Sequence, residues 1–105
     1  MTDYEIVMRL TGCQLRARLD LAKWLNSGVG TVSKDDGVLI VKPVLDWHPV
    51  FDVRAWVGNE FEKWSRRGYL ECVNRGKLVD GKRPLKLYAL RKRIEMRWKG
   101  PVPKV

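Results

Sequence analysis

A chain of 105 residues, 45% hydrophobic and 31% charged, has room for one domain with one modest core, and this composition excludes a disordered body. The formal charge of +9 is unevenly placed: residues 1–62 hold seven Lys/Arg against nine Asp/Glu, residues 63–99 hold thirteen against three, and Lys104 adds one more. A localised basic region implies a polyanionic partner, most often nucleic acid, less often an acidic protein surface or an anionic membrane.

Taken in order, Thr2 is a candidate N-cap, with Asp3 and Glu5 in the first turn, for a helix through Ile6, Val7 and Leu10 that Gly12 breaks or bends. From Cys13 to Asn26 the positions Leu15, Leu19, Ala22 and Leu25 recur at helical spacing, widened by Leu21 and Trp24, and predict an amphipathic helix ended by Asn26, Ser27, Gly28 and Gly30. Gly28 and Gly30 follow a helix rather than a strand, which excludes a phosphate-binding loop. Ser33 to Gly37 reads as a turn, and the β-branched run Val38–Val41 as a buried strand that pairs with a later hairpin. Pro43 takes the chain out of regular pairing. Residues 44–50 fit either a short second helix or an irregular loop, and His48 lacks a second His or Cys nearby that would suggest a metal.

Asp52 is the N-cap expected for the next helix, in which Val53, Trp56, Val57, Phe61 and Trp64 form one apolar stripe and leave Arg54, Asn59, Lys63, Arg66 and Arg67 on polar faces. Basic residues crowd its last turn, where the helix dipole favours cations, and Gly68 stands where a helix end takes positive φ. Two apolar segments follow, Tyr69–Val73 and Leu85–Leu90. Between them, Asn74 to Pro84 forms a Gly-punctuated tip with Arg75, Lys77, Lys82 and Arg83, and Lys86 lies beside it. Arg91–Lys92–Arg93, then Ile94, Met96 and Trp98, lead to Gly100–Pro103. The domain is expected over residues 1–99, with a flexible tail at 100–105.

The stretch from Phe61 to Leu90, with the helix from Asp52 before it, resembles the recognition helix and wing of winged helix-turn-helix DNA-binding domains. The clearest local match is Trp64-Ser65-Arg66-Arg67-Gly68-Tyr69-Leu70, a helix end, a glycine and the aromatic-aliphatic start of a strand. The resemblance implies an α+β fold with a three-helix core and a short antiparallel sheet with its wing. It also implies double-stranded DNA as partner. Arg54 and Asn59 would then face base edges, Lys77, Lys82, Arg83 and Lys86 the phosphates or minor groove beside the wing, and Lys63, Arg66 and Arg67 the adjacent backbone. Arg75 belongs to the same basic tip. Glu60 and Glu62 count against a face wholly turned to DNA unless they pair with a neighbouring Arg or read a cytosine amino group.

No nucleophile and base, carboxylate pair or cofactor fingerprint stands out, so the expectation is a binding protein without cofactor or metal rather than an enzyme. Cys13 and Cys72, without metal-site spacing, read as buried thiols. The absence of a secretion signal or membrane span points to the cytoplasm. The size fits a phage or mobile-element regulator. Two other readings stay open: a module gripping an acidic protein surface, such as an inhibitor of a nucleic-acid enzyme, and an RNA-binding winged helix. Homodimerisation would use either the first helix or Ile94, Met96 and Trp98.

Overall fold

A computed structural model describes residues 2–96 and has the element order helix, strand, helix, helix, strand, strand. α1 runs over Asp3–Asn26, β1 over Val32–Ser33, α2 over Lys34–Leu45, α3 over Val53–Arg66, β2 over Leu70–Cys72 and β3 over Leu87–Leu90. The sheet is antiparallel in the order β1-β3-β2, with Val32 opposite Tyr88 and Cys72 opposite Tyr88 on the other side. Three helices and this small open sheet make an α+β fold of winged-helix-like form.

α1 is a single helix. The Thr2 hydroxyl accepts from the Glu5 N–H at 3.2 Å, and the helix passes through Gly12 without a break. A lone glycine costs a helix about 1 kcal/mol, too little to interrupt one anchored downstream by Cys13, Ala17, Leu21, Ala22 and Leu25 in the core.

The strand expected at Val38–Val41 is the middle of α2. Ser33 is both the last residue of β1 and the N-cap of α2: its hydroxyl accepts from the Asp36 N–H at 3.3 Å, and Asp36 accepts from the Ser33 N–H at 2.9 Å. This capping box converts the supposed turn at Ser33–Gly37 into a helix start. Gly37, Val41 and Leu45 then fall on one buried stripe. Burial on that stripe overrides the β preference of the Val-Leu-Ile-Val run. Pro43 lies in the last turn, and Asp46 closes the helix by donating its N–H to the Lys42 carbonyl at 2.9 Å. The second helix is therefore Lys34–Leu45. The segment 46–52 is a connection in which Trp47 donates to the Cys13 sulfur at 3.3 Å and carries the Arg9 guanidinium 4.1 Å above its ring.

α2 and α3 cross at Gly37. A Cβ there would stand 2.8 Å from Val57 Cγ1 and 2.9 Å from Phe61 Cζ, so only glycine permits this approach. Phe61 also meets the Tyr88 ring edge-on at 5.3 Å, which joins the helices to the sheet. Cys13 and Cys72 are both buried and unpaired with each other. Asn26 ties the end of the described chain to α1, donating to the Ile94 carbonyl at 2.9 Å and accepting from its N–H at 2.8 Å. Trp98 and the tail expected at 100–105 lie outside the described residues.

Candidate nucleic-acid interface

α3 begins as its sequence dictates. Asp52 accepts from the Ala55 N–H at 2.9 Å, and Val53, Val57, Phe61 and Trp64 turn into the core. It ends in a Schellman motif: the Tyr69 N–H reaches the Trp64 carbonyl at 3.0 Å and the Gly68 N–H the Ser65 carbonyl at 3.1 Å, with Gly68 at φ 82°. That reversal feeds β2 directly, so the wing between β2 and β3 hangs beside the outward face of α3. Ala55, Asn59 and Arg66 are exposed on this face, at spacings that stack one above another along a helix.

Glu62 joins helix to wing. Its carboxylate accepts from the Tyr88 hydroxyl at 2.5 Å, from Lys86 at 3.0 Å and from Arg75 at 3.2 Å. Burial works to raise this carboxyl, but the hydrogen bonds from Tyr88, Lys86 and Arg75 outweigh it and hold it at about 2. Burial first, and then the bond to Glu62, push the Tyr88 phenol up. The wing is closed above this point by Asn74, which donates to the Leu85 carbonyl at 2.8 Å and accepts from the Leu87 N–H at 2.9 Å. A groove of about 390 Å³ results, lined by Lys34, Arg54 and Asn59 on the helix side and by Pro84, Leu85 and Lys86 on the wing side.

All ten cationic or amide residues singled out from the sequence are exposed, but they do not form one set. Arg54, Asn59 and Lys86 line the groove, whereas Arg75, Lys77 and Arg83 line the other side of the wing with Lys86 shared between them. Lys82 stands at the wing tip. Lys63 and Arg67 instead face α1, around a hollow of about 480 Å³ that includes Arg18, Glu60 and Tyr69. Several of these cations already have partners: Arg54 with Asp35 at 2.7 Å, Lys63 with Glu60 at 3.5 Å, and Arg75 and Lys86 with Glu62. The Arg54 hydrogen bond is the main cause of a lowered Asp35 carboxyl. Arg66, Arg67, Lys77, Lys82 and Arg83 make no ion pair among the described residues.

Glu60 and Glu62 thus meet cations of this chain. Glu60, buried at 4% exposure, accepts from Arg18 through both oxygens at 2.9 and 3.1 Å. Burial raises its carboxyl, yet Arg18 and Lys63 together bring it below the usual carboxylate range. Lys34 is a groove cation that the sequence reading missed, because its place at the first position of α2 depends on recognising Ser33 as a helix cap. Among the described residues no group of His, Cys, Asp and Glu is arranged to hold a metal ion, and no helix is long and apolar enough to cross a membrane. No protein-family model, curated protein or solved structure matches the chain.

Proposed function

We propose that this protein binds double-stranded DNA in the manner of a winged helix-turn-helix domain, as a small cytoplasmic transcription regulator or accessory factor without catalytic activity. The observation that carries this reading is the clamp at Glu62, which holds a cationic wing beside the exposed face of α3 so that both can meet one duplex. In this reading α3 enters the major groove. Asn59 is suited to the paired donor and acceptor of adenine, and Arg66, two turns further along the same face, to guanine or the nearest phosphate. Arg54 meets the duplex as half of an exposed pair with Asp35, an interaction weak enough for a phosphate to replace. Lys77, Lys82 and Arg83 supply phosphate contacts, and the two free cysteines suit a reducing compartment.

The test is an equilibrium titration of the purified chain against duplex DNA, single-stranded DNA and duplex RNA at several salt concentrations. Duplex DNA should bind tightest. The double change of Lys82 and Arg83 to Ala should weaken binding and flatten the slope of log affinity against log salt by about 2, because each lost phosphate contact removes roughly 0.9. No duplex DNA binding near physiological salt contradicts the reading. A second reading, a module whose basic wing grips an acidic protein surface, draws on Lys77, Lys82 and Arg83, which are exposed and make no ion pair among the described residues. It predicts an unchanged solution of free DNA in the same titration and capture by an acidic protein partner.

A further inference from the structure

The wing carries a feature that phosphate contact does not use. Leu78 and Val79 are consecutive at its tip, 63% and 59% exposed and outside the core cluster. Their presentation is fixed by the backbone. Val79 and Lys82 exchange both backbone hydrogen bonds at 2.9 Å, and the two residues between them, Asp80 and Gly81, take positive φ of 52° and 74°. That is the backbone of a two-residue type I′ turn, closed by the isolated antiparallel bridge between Val79 and Lys82. Below it, a turn from Asn74 to Lys77 is closed by the Lys77 N–H to the Asn74 carbonyl at 3.2 Å, and Glu62 pins the wing base through Arg75 and Lys86. A tight exposed turn ordinarily carries polar residues, and here the positions beside it are apolar. Lys77, Lys82 and Arg83 flank the pair against the single carboxylate of Asp80.

Resting on the DNA-binding reading above, we propose that the wing tip is a minor-groove wedge: Leu78, with Val79 beside it, presses into a base step and kinks the duplex while Lys77, Lys82 and Arg83 hold the flanking phosphates. The minor groove is about 6 Å wide, too narrow for a helix or a β-ribbon, so only side chains projecting from the hairpin tip enter it. Apolar side chains pushed into it from a cationic support unstack base pairs and bend DNA by roughly 20–90°. An anionic lipid surface would draw on the same charges, but lipid anchoring scales with buried apolar area, and two side chains on a narrow tip supply little. Flexible pyrimidine–purine steps cost least to kink, so the wedge favours sites with a TA or CA step opposite the wing.

The experiment measures the end-to-end distance of doubly labelled duplexes of about 30 base pairs by energy transfer, with either a central TA step or a stiff A-tract. The full chain is compared with the L78A/V79A and K82A/R83A variants at saturating protein. Both pairs are exposed, so folding is checked simply by thermal melting. The wild type should shorten the duplex and bind the TA duplex several-fold more tightly than the A-tract. L78A/V79A should keep the salt slope and leave the duplex straight. K82A/R83A should bind more weakly yet still bend at saturation. Wild-type binding without bending, or bending that survives L78A/V79A, overturns the wedge and leaves the DNA-binding reading intact. Absence of duplex binding removes both. Adsorption to phosphatidylserine vesicles that depends on Leu78 and Val79, with DNA left straight, overturns the wedge in favour of a membrane-facing tip.

Discussion

Glu60 and Glu62 lie two positions apart on α3, on nearly opposite sides of the helix, and both are engaged by cations of the same chain. Glu60 faces inward, where Arg18 of α1 meets it with two hydrogen bonds. Glu62 faces the wing and gathers Arg75, Lys86 and Tyr88. The inner carboxylate fixes helix against helix, and a charge buried there that loses its bidentate Arg18 partner keeps only the longer contact to Lys63. The outer one fixes wing against helix at the edge of solvent, where water can stand in for a lost partner. One residue type therefore serves architecture on one side and placement of the proposed DNA face on the other, and environment alone separates the two.

The largest effect is expected at Arg18. Arg18→Met leaves buried Glu60 with only the longer Lys63 contact at 3.5 Å and should lower unfolding stability by about 2–4 kcal/mol, below the fully buried case because Arg18 is partly exposed and Lys63 remains. Urea unfolding reads the loss, and adding Glu60→Gln to the same chain should recover part of it. Gly37→Ala perturbs the core beside α3 without touching either carboxylate. Overpacking against Val57 and Phe61 exceeds the helix-propensity gain of about 1 kcal/mol, so a net loss of about 1–2 kcal/mol is expected, with the acid response of Glu62 unchanged.

Glu62→Gln sharpens the outer half. The folded carboxyl is held at about 2 against an ordinary value of 4.5, so the folded state prefers the ionised form. Its contribution is complete above the unfolded value and drains away as pH falls from 4.5 towards 2. The variant should be less stable than wild type by about 1 kcal/mol at neutral pH, and the two should converge in acid. A constant difference across that window would show that the carboxylate charge is not what binds the wing.

Local signals made α3 and its end legible. Asp52, the apolar stripe from Val53 to Trp64 and the glycine at 68 lie within a few residues of the structure they determine, and each appears where its chemistry predicts. The run Val38–Val41 misled because a β-branched tetrapeptide has the same composition in a buried helix as in a buried strand. Ser33 and Asp36, a capping box three residues apart, were the signal that separates them. That error also hid Lys34 from the groove. The division of the cations was not legible: Arg66 and Arg67 are neighbours in sequence, but one helical step leaves Arg66 beside the exposed face and turns Arg67 to the hollow with Arg18 and Glu60. Nor does sequence order bring Glu62 to Arg75 and Lys86, which meet it only when the strands pair.

In the proposed function the outward face of α3 and the wing form one DNA-binding surface. Backbone amide chemical-shift mapping with nitrogen-15-labelled protein and a short duplex tests it most directly. Shifts on titration should concentrate at Ala55, Asn59, Glu62 and Arg66 and along Lys77 to Lys86, with Tyr4 to Thr11 of α1 unmoved. Shifts confined to α1, or none at duplex concentrations that saturate other assays, would contradict it.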